Sequence, residues 1–219
     1  MKNRARKPTS VRREEIAQAI LRIIGEQGLT SFTTTSLASE VGLTSGALFR
    51  HFASLDEMLS EAARYGLARI EETFPDESLP PLDRLLELAR ARVRLLGSNP
   101  GLAWLVRSEQ ARLTLPEPAV RLLLDLVTRS KQVILRALCE AAEEGSVRAD
   151  IAPEILMVPV MGTIHALIGL QGMHRSETDE LGREPQRVLD ALVCLLEPPG
   201  PSDPRRRAIP PPNTEPTEE

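Results

Sequence analysis

A chain of 219 residues is long enough to bury a sizeable core, either as one large domain or as a small domain joined to a larger one. Two cysteines, Cys139 and Cys194, lie inside apolar helical patterns without metal-ligand spacing, which argues against a disulfide scaffold or a cysteine metal site and for reduced core residues in a cytosolic protein. The net charge of −4 excludes a uniformly basic chain, but residues 1–52 carry eight Lys and Arg against four acids, a net of +4, which leaves −8 for the rest: a footprint for a polyanion at one end only.

Residues 1–10, MKNRARKPTS, have no apolar periodicity and read as a flexible basic arm, either solvated or ordered on nucleic acid through Arg4, Arg6 and Lys7. No apolar run follows to make them a signal peptide. A first helix is predicted from about Val11 to Gln27, with Ile16, Ala19, Ile20, Ile23 and Ile24 on its inner stripe and Gly28 as the left-handed residue ending it.

Thr33 to Phe52, TTTSLASEVGLTSGALFRHF, reads as two short helices joined by a tight turn. Thr33 or Thr34 caps the first, Leu37, Ala38 and Val41 form its apolar face, and Gly42 ends it. Thr44 or Ser45 caps the second, in which Leu48 and Phe52 sit four apart on the buried side. Ser45, Gly46, Ala47, Phe49 and Arg50 then face outward with His51 beside them: small residues first, then an aromatic and a cation, the requirement for lying deep in a DNA major groove. The pattern also suits an αα-hairpin packed only for stability.

From Val11 to Ala63 the residues resemble the N-terminal domain of TetR/AcrR transcriptional regulators, through the isoleucine stripe, Gly28 and the run TTTSLASEVGLTSGALFRHFASLDEML. The resemblance implies an all-α fold of about nine helices. A three-helix helix-turn-helix DNA-binding domain (11–53) precedes a helical effector-binding and dimerisation domain (54–197). It implies a double-stranded DNA operator as partner, contacted by Thr34, Thr35, Ser45, Gly46, Ala47, Phe49, Arg50 and His51. It also implies a connector helix, capped by Ser54 and carrying Asp56 and Glu57 in its first turn, that passes ligand-driven motion to the DNA-reading head. Many relatives have Tyr at Phe49 and Lys at Leu55, both phosphate contacts. Here the arm, with Arg4, Arg6, Lys7, Arg12 and Arg13, is the nearest substitute.

Helices are further predicted from Leu82 to Leu96, from Leu102 to about Leu113, and from Pro116 to Glu144 with Gly145 as its stop. Ile155 to Met173 has no charge and raises the transmembrane question, but Pro159, Thr163, His165 and Gln171 interrupt it and no basic flank or aromatic belt accompanies it. It reads as a buried helix with a small face, Gly162, Ala166 and Gly169. The last helix, about Pro185 to Leu196, carries the stripe Leu189, Leu192, Val193 and Leu196. Two such helices per chain suit a four-helix bundle across the two-fold axis of a homodimer. Residues 198–219 are Pro-rich and read as a disordered tail.

No paired metal ligands, glycine-rich phosphate loop or nucleophile elbow occurs in the sequence, so neither enzyme activity nor a metal or cofactor is expected. Trp104, Arg107, Glu109, Met161 and His165 are candidates for lining a pocket for an apolar or amphipathic effector. The expectation is a dimeric, cytoplasmic DNA-binding regulator, a repressor released from a palindromic operator by such an effector. The alternative is a TetR-like DNA-binding or partner-controlled factor with no small-molecule effector.

Overall fold

The computed structural model describes residues 8–173 and 184–200, with side chains through 170 in the first stretch. The basic residues Lys2, Arg4, Arg6 and Lys7 and the tail beyond residue 200 lie outside the described residues. Ten α-helices, a 3-10 turn at Leu29–Ser31 and no strand occur among those described. They are α1 (Thr9–Gln27), α2 (Thr34–Val41), α3 (Ser45–Leu48), α4 (Leu55–Glu71), α5 (Pro81–Gly97), α6 (Pro100–Arg107), α7 (Glu109–Thr114), α8 (Glu117–Glu143), α9 (Pro153–Met173) and, after the undescribed stretch, α10 (Pro185–Leu196). The chain divides into two compact units, Met1–Phe74 with Arg94–Arg129, and Pro75–Val93 with Ser130–Glu219.

In the first unit, Ile16, Ala19, Ile20, Ile23 and Ile24 of α1 are buried together with Leu37, Leu48, Phe52, Met58 and Ile70. One apolar stripe thus gathers α2, α3 and α4 around α1, the burial that makes short helices stable. The same unit takes in α6, which the resemblance placed in the other domain. Helix α6 meets α1 where Gly25 and Gly101 face each other, and a Cβ on either would fall inside the opposing backbone. Gly66 of α4 lies equally close to Leu105 of α6.

Where a single helix was expected from Leu102 to Leu113, the chain breaks at Ser108, which is extended (φ −93°, ψ 126°). In an unbroken helix Arg107 and Ala111 would share a face. The break sends Arg107 to solvent while Ala111 is fully buried.

The second unit is held by Leu85, Leu88 and Val93 of α5, Ile134 and Leu138 of α8, the inner side of α9, and α10. Arg84 of α5 is buried and paired with Glu140 of α8. The turn after α8 contains Gly145 at φ +78°, and the Arg148 N–H donates to the Leu196 carbonyl at the end of α10 at 2.7 Å.

Helix α9 is long and apolar enough to cross a membrane by composition, with Pro159 inside it. Within the protomer its burial is one-sided. Leu156, Val160, Ile164, Leu167, Ile168 and Gly169 face inward, while Val158, Pro159, Gly162, His165 and Ala166 are exposed. Gly169 therefore leaves the proposed small face. On α10 the correction is larger: Leu189, Leu192 and Leu196 are buried within the protomer and Val193 is half-buried, whereas Ala191, Cys194 and Leu195 are exposed. Cys194 is thus not a core residue, and burial of the half-buried Cys139 pushes its thiol up.

Candidate nucleic-acid interface

Helix α2 begins with a reciprocal cap. The Thr33 side chain accepts from the Ser36 N–H at 3.0 Å while the Ser36 hydroxyl accepts from the Thr33 N–H at 3.0 Å. Two of the backbone donors that a helix start leaves unpaired are satisfied. Helix α2 ends at Gly42 in the left-handed region (φ 64°, ψ 40°), with the Leu43 N–H returning to the Ala38 carbonyl at 2.8 Å. That closure turns the chain sharply and presents Thr44, whose hydroxyl accepts from the Ala47 N–H at 3.2 Å and so starts α3. Gly28 behaves differently from expectation: its φ of +85° is positive, but a ψ of 161° opens the chain instead of closing a left-handed cap.

The α-helical part of α3 is only four residues long. The segment continues as a tighter turn, with the Arg50 N–H bonded to the Ala47 carbonyl and the His51 N–H to the Leu48 carbonyl, until Phe52 enters the core at 2% exposure. Leu48 and Phe52 anchor the inner side, so the outer side is fixed. Thr35, Gly46, Phe49 and Arg50 are exposed, and Thr34, Ser45, Ala47 and His51 are half-buried. Phe49 stands 46% exposed, and Leu55 is likewise an exposed apolar residue at the start of α4. A Cβ added to Gly46 would meet no atom within 4 Å, so nothing in the protomer itself demands glycine there.

Two cations assigned to the arm are placed elsewhere. Arg12 pairs with Glu15 at 2.8 Å within α1. Arg13 turns inward: it donates to the His51 carbonyl at 2.6 Å, to Glu57 at 2.9 Å and to Glu61 at 2.9 Å, and lies 4.2 Å over the Phe52 ring. Its bond to the Glu61 carboxylate raises the pKa of the guanidinium above its ordinary value. The Ala53 N–H, followed by Arg13, holds the Glu57 carboxyl below its own. A depressed carboxyl contributes stability that is present above its unfolded pKa and is lost as pH falls through the folded pKa. Any replacement for the missing Tyr and Lys contacts therefore rests on Lys2, Arg4, Arg6 and Lys7. If most of these engage phosphates, deleting residues 2–7 flattens the plot of log affinity against log salt by about two to three units, since each phosphate contributes about −0.9. The consensus stays the same, because phosphate contacts position and do not specify. An unchanged slope in a salt titration would return the arm to solvent.

Of the effector candidates, Trp104 is half-buried, Arg107 and Glu109 are exposed, and in the second unit Met161 is half-buried and His165 exposed. The indole Nε1 of Trp104 is buried and without a hydrogen-bond partner among the described residues. A cleft of about 300 Å³ opens in the first unit beside the Gly25–Gly101 crossing, lined by Gln18, Leu21, Arg22, Tyr65, Arg69 and Leu102 among others. None of the five candidates lines it. No local pattern announces this cleft, because its walls come from α1, α4, the end of α5, the start of α6 and the loop between those two.

Residues 16–62 match the sequence profile described as bacterial regulatory proteins, tetR family. Those residues form a TetR-type N-terminal domain. It is similar to the HTH-type transcriptional repressor KstR2 of Mycobacterium tuberculosis, with 28% identity over 149 residues, 66% of this chain and 74% of that protein. The solved structure of that ketosteroid transcriptional regulator superposes with a TM-score of 0.70 at 24% identity, covering 85% of this chain and 95% of the other. The crystal structure of AibR in complex with isovaleryl coenzyme A and operator DNA gives the same TM-score, 0.70, at 18% identity over 86% of this chain and 100% of that one. The nucleoid occlusion factor SlmA of Vibrio cholerae is 34% identical over 99 residues, 42% of this chain and 48% of that protein. The chain is thus a DNA-binding transcriptional regulator of the helix-turn-helix type.

Proposed function

We propose that this regulator is a cytoplasmic homodimeric repressor that holds a palindromic operator through α3 and releases it on binding a small amphipathic effector. The observation that carries the DNA half of this reading is the outward face of α3. There Gly46 borders open space, Phe49 is an exposed aromatic, and Arg50 has no side-chain partner among the described residues. Gly46 lets the two backbones approach, Ala47 meets a thymine methyl, and Arg50 pairs with a guanine edge or a phosphate. Selection of bound DNA from a random pool tests this, because a palindrome reports function, symmetry and half-site spacing together. If Arg50 reads a base, Arg50→Ala costs about 1–3 kcal/mol on the selected site and relaxes one position of the consensus. Unchanged affinity with an unchanged consensus rules out that role.

The effector half rests on the unpartnered indole N–H of Trp104, a buried donor that an effector oxygen would satisfy. Amphipathic thioesters such as the isovaleryl coenzyme A held by AibR have that chemistry: an apolar acyl group, a carbonyl acceptor and an anionic end. Titrating the operator complex with acyl-coenzyme A esters of increasing chain length should release the DNA with one length preferred. Retention of DNA against the whole series would favour the partner-controlled factor without a small-molecule effector.

A further inference from the structure

The Arg13 side chain brings together three pieces of chain that DNA reading and switching must both use. It projects from the start of α1, 38 residues before the carbonyl it binds and 44 and 48 residues before its two carboxylates. Its Nη1 donates both to the His51 carbonyl, in the last turn of the recognition segment, and to Glu57 of α4. Its Nη2 donates to Glu61 one turn further along α4, and its flat face covers Phe52, the residue that roots the recognition segment in the core. Glu57 uses its other oxygen to accept the Ala53 N–H at 2.6 Å, closing the link between the recognition segment and α4 from the second side. Glu61 is shared with Arg64.

A guanidinium held by two carboxylates and a carbonyl has little charge left to offer a phosphate, although its place in the sequence is that of a DNA-facing cation. Its side chain is 24% exposed, and those of Glu57 and Glu61 are 36% and 22% exposed, so solvent screens the cluster only in part.

We propose that Arg13 is a positioning residue for operator recognition: it fixes the exit of the recognition segment to the first two turns of α4 and supports specific binding without touching DNA. The inference rests on the reading that places α3 in the groove, and it deepens that reading. Because α4 is the connector, the same clamp makes the recognition segment follow any displacement of α4. Only a planar fork reaches three acceptors while stacking on a ring, so lysine, which keeps the charge, does not replace it.

The test is a salt series of operator titrations on the full chain with wild type, Arg13→Lys, Arg13→Ala and Glu57→Gln, each measured below its own melting temperature, with random-sequence DNA as a parallel series. The wild type's preference for the operator tests the groove reading by itself, and the variants test the clamp. Arg13→Lys and Arg13→Ala are both expected to lose about tenfold or more on the operator, comparable to spoiling one base pair of the site. Their salt slope and their affinity for random DNA should stay at the wild-type values. Glu57→Gln is the sharper arm, since removing a negative charge beside a polyanion tightens binding electrostatically, yet loosening the clamp weakens it. Weaker operator binding by Glu57→Gln supports the proposal even if Arg13→Ala does not fold. Three results overturn it: Arg13→Lys binding as wild type while Arg13→Ala has a slope shallower by about 0.9, the mark of a phosphate contact; tighter binding by Glu57→Gln; or lowered melting temperatures with operator affinity intact.

Discussion

Replacing Gly46 with leucine is expected to leave the protomer folded and to remove specific operator binding. A side chain there meets no atom of the protein within 4 Å, and the residue sits in the first turn of α3, where glycine is a poorer helix former than leucine by somewhat under about 1 kcal/mol. The melting temperature therefore holds or rises slightly. On DNA the same side chain occupies the space through which α3 approaches the base edges, and the whole recognition segment is pushed outward. Specific binding is typically about 10³–10⁷ tighter than non-specific binding, and loss of close approach moves the protein toward the lower level, a drop of about a hundredfold or more. Non-specific binding through phosphates should survive. Fluorescence anisotropy on operator and on scrambled DNA, with a thermal melt of the same sample, separates these effects. Wild-type affinity for the operator in Gly46→Leu would mean that α3 does not enter the groove as proposed.

The sequence made the helix-turn-helix legible because each of its signals is local. Thr33 and Thr44 lie within three residues of the N–H groups they cap, Gly42 closes α2 onto Ala38 five residues from Leu43, and Leu48 with Phe52 is a single-turn pair. Arg13 was misplaced for the opposite reason. Next to Arg12 in a basic stretch it reads as one more DNA cation, and only the folded chain brings Glu57 and Glu61 to it. The Gly25–Gly101 crossing was invisible for the same cause, since no periodicity in α1 announces a backbone 76 positions later.

Helices α9 and α10 illustrate a second limit. Apolar spacing shows that a face is buried, but it does not say against what. On α10 the regular stripe Leu189, Leu192 and Leu196 packs inside the protomer, and the less regular Ala191 and Leu195 are left at the surface. On α9 an almost wholly apolar helix has two sides to hide and the protomer hides one.

That difference determines how the proposed homodimer has to be tested. Leu192 is 5% exposed in the protomer, so Leu192→Glu would put an unpaired charge into the protomer's own core and report on folding, not on association. Leu195, 69% exposed on α10, and Val158, 68% exposed on α9, are the large apolar residues that these two helices expose among their described side chains; Gly162 lies on the same outward side of α9, with no atom within 4 Å of an added Cβ. If a second copy covers this face, Leu195→Glu and Gly162→Glu each fold normally and place a charge in the interface without a partner, which costs several kcal/mol, about 3–5 where a buried charge is left uncompensated. Two such charges meet across a two-fold axis, so the penalty is doubled in every dimer. The expected result is a wild-type dimer at micromolar concentration, monomers in both variants by sedimentation equilibrium, and helical content unchanged by circular dichroism. Operator affinity should fall with the dimer, because a lone head reads one half-site and loses the advantage of tethering, typically a factor of 10² or more. A wild type that sediments as a monomer, or variants that stay dimeric, would show that the outward side of α9 and α10 serves something other than a second copy of this chain.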